Sequence, residues 1–235
     1  MQTHLIGKEV IAEGTMLFRL EKPEGFAFRA GQSIDLTLID PPETDAEGNK
    51  RAYSLSSAPY EPELKVAMRM RDTAFKRVLK GMPEGAQMKL DGPFGEMTLH
   101  EDATRPAVFL AGGIGVTPFR SMILDALHQG LPHAMYLFYS NRRPEDAAFL
   151  TELEDIHAPT FTFVPTMTAA EGSQVPWQGE TGFISAEMLR RHLPQGASPV
   201  YYLAGPEAMV TAMRTLLQGA GIVSDDIRYE EFSGY

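Results

Sequence analysis

Near residue 103 the periodicity of the sequence changes, and that change limits the possible folds more than any other feature. Upstream, apolar and polar residues alternate. Over Thr15–Glu21, Met16, Phe18 and Leu20 share one face. Over residues 32–39, Ile34, Leu36 and Leu38 share one, with Ser33, Asp35 and Thr37 opposite. A period of two marks half-buried antiparallel strands. Residues 51–57, 63–70 and 86–90 continue the series, separated by turn-rich pieces at 23–25, 41–49 and 81–85. One short helix is expected over residues 73–80. Short strands spaced by turns predict a small, closed, antiparallel Greek-key β-barrel.

Downstream, strands alternate with helices. Residues 107–111 form a short continuous apolar strand. Phe119, Met122, Ile123, Ala126 and Leu127 then recur at helical spacing. Further strands are expected at 134–140, 161–166 and 200–204, with a charged helix over 144–156 and a polar, Gly-rich loop over 169–182. Pro206 opens a last helix that turns Met209, Val210, Met213, Leu216 and Leu217 inward. Such alternation predicts a parallel α/β sheet. The chain therefore divides into a barrel domain, 1–102, and an α/β domain, 103–235.

Composition narrows the function. At 235 residues the chain buries a core without covalent staples, and it has no cysteine. That excludes disulfides, cysteine nucleophiles, thiolate zinc and any iron–sulfur cluster held by this sequence. Lys and Arg number 21 against 31 Asp and Glu, a net charge of −10 unsuited to general binding of nucleic acid or anionic lipid. No apolar run approaches the roughly 20 residues that span a bilayer. The first residues lack a basic stretch followed by an apolar one, so no secretory signal is read and the cytoplasm is the expected location. The six histidines show no metal-ligand spacing, and no metal is expected.

Five motifs stand in order. Arg51, Tyr53 and Leu55 share one side of a strand: a phosphate partner, a flat ring and an apolar neighbour, with the Ser54 hydroxyl between them. Gly92-Pro93-Phe94-Gly95 ends another strand. Gly112-Gly113-Ile114-Gly115-Val116-Thr117-Pro118 joins a strand to a helix, where bare backbone lets a phosphate approach free N–H groups. It lacks the third glycine of the usual dinucleotide fingerprint, because Pro118 stands there. Gly205-Pro206 with Met209 forms a second such junction, and Glu230-Glu231-Phe232 precedes an aromatic terminus. Taken singly, each also reads as an ordinary turn or strand.

In this order the five motifs resemble the ferredoxin–NADP reductase family of flavin oxidoreductases, over nearly the whole length. The resemblance implies a flavin-binding barrel followed by a nicotinamide-dinucleotide α/β domain. It implies that Arg51 contacts the FAD pyrophosphate, that Tyr53 packs on the flavin–ribityl portion with Leu55 beside it, and that Ser54 lies near flavin N5. Thr73, Ala74, Phe75 and Lys76 occupy the family's second pyrophosphate-binding turn. The family's glycines are absent there, and a lysine stands where serine is common, which leaves FMN open beside the favoured FAD. Gly112, Gly113, Gly115, Thr117 and Pro118 would receive the dinucleotide, flanked by Gly205, Pro206 and Met209. Ser140 and Arg142, with Arg143, are the candidates for the adenosine end. The strand 161–166 is followed by no arginine, which favours NADH over NADPH.

The implied reaction is hydride transfer from NAD(P)H to flavin N5, then electron transfer to a separate acceptor: ferredoxin, flavodoxin, a haem protein or a small molecule. Ser54, Glu230 and Tyr235 are the candidate catalytic residues. The alternative is a non-catalytic nucleotide-binding or regulatory subunit of the same fold. An acidic acceptor would need a basic patch, for which Arg69, Arg71, Lys76, Arg77 and Lys80 are candidates.

Overall fold

The computed structural model describes residues 1–232. Tyr235, expected over the flavin, lies outside the described residues. The first unit has strands β1 (Gln2–Ala12), β2 (Thr15–Glu21), β3 (Ser33–Leu38), β4 (Lys50–Ser54) and β5 (Glu63–Arg69), helix α1 (Ala74–Gly81) and strand β6 (Gln87–Phe94). Its strands make one antiparallel sheet in the order β4-β3-β6-β1-β2-β5. The two ends of that order meet just past β4. There the Ser56 N–H donates to Lys65 O at 2.9 Å, and the Lys65 N–H donates to Ser57 Oγ at 3.0 Å. The sheet is thereby barrel-like, filled by Phe18, Leu20, Ile34, Leu36, Val66, Phe75 and Leu90.

The second unit has β7 (Ala107–Gly112), α2 (Val116–His128), β8 (Met135–Asn141), α3 (Leu150–Glu154), β9 (Phe161–Met167), β10 (Glu180–Thr181), α4 (Ala186–His192), β11 (Val200–Pro206), α5 (Glu207–Gly219) and β12 (Ile227–Phe232). All six strands run parallel in the order β10-β9-β8-β7-β11-β12. Every residue of β7 is buried, as a central strand covered on both faces requires. Phe109 meets Phe119 and Ile123 of α2 on one face, while Val108 and Leu110 join Val210, Met213 and Leu217 of α5 on the other. The chain winds outward from β7 through β8 to β9, then crosses back to β11. The switch point of the sheet lies between β7 and β11.

Two expectations need correcting. The charged helix over 144–156 is not continuous. A 3-10 turn, Pro144–Asp146, is separated from α3 by Phe149, whose backbone is left-handed at φ 60°. Ala147 and Ala148 are buried there, and the Tyr139 hydroxyl donates to Ala148 O at 3.0 Å. A core contact thus draws the chain out of helical geometry. The loop over 169–182 ends in β10, which pairs with Thr166 and Met167.

Candidate functional site

A cavity of about 360 Å³ opens where the two units meet. β4 supplies Ala52, Tyr53 and Ser54, and β5 supplies Ala67, Met68 and Arg69. Lys76 of α1 closes one end, Ile114 and Thr117 form the roof, and Glu230, Glu231 and Phe232 of β12 form the far wall. Alternation along β4 sets the near wall. Tyr53 packs its ring toward the barrel core, tilted 43° to Phe75 at 6.0 Å between centroids. Its hydroxyl is buried with no hydrogen-bond partner among the described residues. Burial pushes the phenol well above its ordinary pKa, so it stays a neutral donor. A buried hydroxyl left unpaired is costly unless a ligand or water completes it.

Ser54 and Glu230 reach across the cavity. Ser54 Oγ donates to Glu230 Oε2 at 3.4 Å, a long contact between residues 176 apart in sequence. Burial raises the Glu230 carboxyl above the usual carboxylate range, and the Ser54 bond offsets part of that. The Gly92-Pro93-Phe94-Gly95 turn borders them, with Gly95 at φ 89° and its open side toward Glu230. Lys76 Nζ donates to Arg69 O at 2.7 Å, and burial, with Arg71 and Arg51 nearby, lowers its pKa. Thr73 caps α1, its Oγ1 accepting from the Lys76 N–H at 3.4 Å. Ala74 and Phe75 are buried beneath it.

The roof is the switch point. A 3-10 turn, Gly113–Gly115, leads into α2 with no side-chain cap and no acidic residue in its first turn. Its N–H groups and positive end suit a phosphate. Two glycine positions have no room for a side chain. A Cβ on Gly112 would overlap Met209 Sδ, and one on Gly115 would overlap the Ala204 carbonyl. Gly205, at φ 152°, brings its backbone against Gly112. Thr117 is buried and turns its Oγ1 to Ile114 O at 3.0 Å. Pro118 is buried within α2, and Pro206 stands at the start of α5. Ser140 lies beside Gly112 at the carboxyl edge of β8. Crevices at the carboxyl ends of strands, at a switch point, are where open parallel sheets bind ligands.

A family model, two relatives and a solved structure show what the chain is similar to. Residues 109–215 match the model of the oxidoreductase NAD-binding domain. The chain is 31% identical over 223 residues to ferredoxin–NADP reductase B of Sorangium cellulosum, across 90% of this chain and 89% of that one. The chain belongs to the ferredoxin–NADP reductase family. It is an NAD(P)H-dependent flavoprotein oxidoreductase of that family. It is 30% identical to the reductase component of phenol 2-monooxygenase from Pseudomonas sp. strain CF600, over 91% of its own length but 60% of that protein's. A ferredoxin NADP+ reductase from Neisseria gonorrhoeae, solved with FAD and NADP, superposes with a TM-score of 0.82 at 23% identity, covering 98% of each chain. The barrel followed by a parallel α/β sheet is therefore the family fold.

The structure brings five of the site residues expected from sequence to one cavity, and sets others apart. Tyr53, Ser54, Lys76, Thr117 and Glu230 line the one cavity. Leu55 sits wholly in the barrel core, its N–H donated to Gln32 O at 3.0 Å, outside the cavity lining. Arg51 lies outside the cavity lining, held by the loop before β4. Arg142 is exposed at the edge of the α/β unit. Ala52, Ala67 and Met68 line the cavity without any sequence signal, because small and apolar side chains there look like ordinary strand residues, whereas Phe232 belongs to the terminal motif. Among the described residues no helix is long and apolar enough to cross a membrane.

Proposed function

We propose that this protein passes electrons from NADH, through FAD held in the cavity between β4 and β12, to a separate acceptor molecule. The buried Tyr53 hydroxyl, unpaired in a cavity that both units complete, carries this reading. Residues 1–102 then hold the flavin and residues 103–235 the nicotinamide dinucleotide. A bound flavin supplies a two-electron acceptor that can release electrons onward. The chain's own residues do the rest. Tyr53 donates a hydrogen bond and lends a ring face. Ser54 and Glu230 hold a proton between their oxygens at the cavity's centre. Gly112 and Gly115 let a dinucleotide lie on bare backbone, with Thr117 at the roof, and such positioning is the main source of rate in this kind of transfer.

The preference for NADH rests on charge. Arg143 is committed to Asp146, at 3.0 Å from Nε, and to Glu13, at 2.7 Å from Nη2. It is therefore a poor partner for a 2′-phosphate, leaving the exposed Arg142 as the nearest candidate. The acceptor side follows similar reasoning. Arg77 pairs with Glu43 and Asp72, and Lys76 is spent on Arg69 O. With Arg77 neutralised the patch is weakened, which favours a small or weakly charged acceptor over a strongly acidic protein. Purified protein should absorb near 450 nm, in the region of roughly 450 nm where flavins absorb. NADH should bleach that band at lower concentration than NADPH. Protein that takes up no added FAD would overturn the reading, and equal response to both nucleotides would overturn the preference.

A further inference from the structure

The loop at residues 39–49, between β3 and β4, lays its carboxylates on the cations beside the cavity. Asp45 Oδ1 accepts from Arg51 Nη2 at 2.8 Å, and the Ala74 N–H at the start of α1 is, after Arg51, among the groups that hold the Asp45 carboxyl below its ordinary pKa. Glu47 Oε2 lies 3.1 Å from the same Arg51 nitrogen. Glu43 takes Arg77 in a two-pronged pair, at 3.0 and 2.7 Å. Arg51 itself is well fixed. Its Nη1 donates to the carbonyls of Glu47, Gly48 and Lys50 at 3.0, 3.0 and 2.8 Å, and its guanidinium lies over the Phe75 ring at 5.3 Å.

A guanidinium and the N-terminal amide of a helix make one cradle for an oxyanion. Here it stands two residues from Tyr53 and already holds an anion belonging to the chain. A phosphate oxygen would want the same two donors, and two anions cannot share them without strong repulsion. Glu43 and Glu47 are exposed and Asp45 is half-buried at the loop's edge, where water still screens its pair with Arg51.

We propose that Asp45 is a displaceable internal occupant of the phosphate-binding cradle formed by Arg51 and the Ala74 N–H. The loop weakens phosphate-bearing flavins and leaves phosphate-free ones untouched. This rests on the flavin reading above. The cofactor's phosphate takes Asp45's place, and residues 43–48 move outward.

Flavin fluorescence titrations of the apoprotein with riboflavin, FMN and FAD test this, in the natural protein, Asp45→Asn and Asp45→Ala. Asp45→Asn should tighten FAD about tenfold, on the order of one charge-assisted hydrogen bond, tighten FMN less, and leave riboflavin unchanged. Hydrogen exchange gives an independent reading. The Glu47 N–H, bonded to Asp45 Oδ1 at 3.0 Å, and the Gly48 N–H, bonded to Asp45 O at 2.9 Å, should lose protection when FAD binds the natural protein. Unchanged or weaker FAD affinity in both variants, an equal gain for riboflavin, or unaltered protection at residues 47 and 48 would each overturn the proposal while the functional reading stands. Failure of every protein to bind any flavin would overturn both.

Discussion

Tyr53 and Glu230 share one cavity and carry opposite polar problems: a donor without a partner, and a carboxyl short of solvent. The second has a consequence for pH. Folded Glu230 binds its proton more firmly than the same residue in the unfolded chain, because burial disfavours its charged form. It therefore adds stability below the ordinary carboxylate pKa, and that stability is lost as pH rises through the raised folded value. Glu230→Gln, which cannot ionise, should keep what the natural protein loses. Urea midpoints of the two apoproteins, measured from acid to neutral pH, should diverge in favour of the variant as pH rises, and parallel curves would refute the coupling. At this scale the sequence is uneven as a guide. Arg51, Tyr53 and Ser54 stand out because they occupy a strand beside an ordered set of other motifs. Asp45 does not, because a carboxylate in a polar loop has no periodicity, and only the folded chain shows what it touches.

Elements were legible where one face was strongly apolar. β2 and β3 announce themselves through Met16, Phe18, Leu20, Ile34, Leu36 and Leu38. β1 escaped because its inward row is Thr3, Leu5 and Gly7, while Val10 points to solvent, 72% exposed. α4 escaped because its seven residues bury only Met188 and Leu189, although Ser185 caps it by accepting from the Met188 N–H at 3.2 Å. The helical break at Phe149 is a tertiary effect, set by a contact to Tyr139 that no local pattern records. The β7 and β11 junctions make the sharpest prediction here. Gly115→Ala should destabilise by about 1–3 kcal/mol or more, since the obstacle is the Ala204 backbone and cannot rotate away. Gly219→Ala, at the end of α5 with open space around it, should be neutral or stabilise by up to about 1 kcal/mol. Chemical denaturation of both variants checks the contrast, and equal costs would contradict it.

Across the whole molecule, Arg120 of α2 fastens the two units together. It is 4% exposed, donates to Ser56 O at 2.6 Å, pairs with Glu61 at 3.2 Å and Glu152 at 2.5 Å, and stacks over Phe149. Beside it Ser121 Oγ donates to Ser57 O at 2.6 Å. Arg120→Ala leaves the Ser56 carbonyl without its donor and takes one cation from Glu61, which keeps Lys65 and the Ala58 N–H, and should cost about 1–3 kcal/mol. Unfolding followed by near- and far-ultraviolet dichroism should then lose its single transition, whereas an unchanged midpoint would show the units to be held elsewhere. The two-unit plan was legible from the change of period, but this fastening was not, because a lone arginine on a helix reads as surface. The wall that β12 contributes to the cavity bears on how the protein is made. Ser54 emerges from the ribosome 176 residues before Glu230. At about 5–20 residues per second that is a wait of roughly 10–35 s. During synthesis a folded barrel must therefore carry half a binding site, and the cavity closes only after the other unit has been translated.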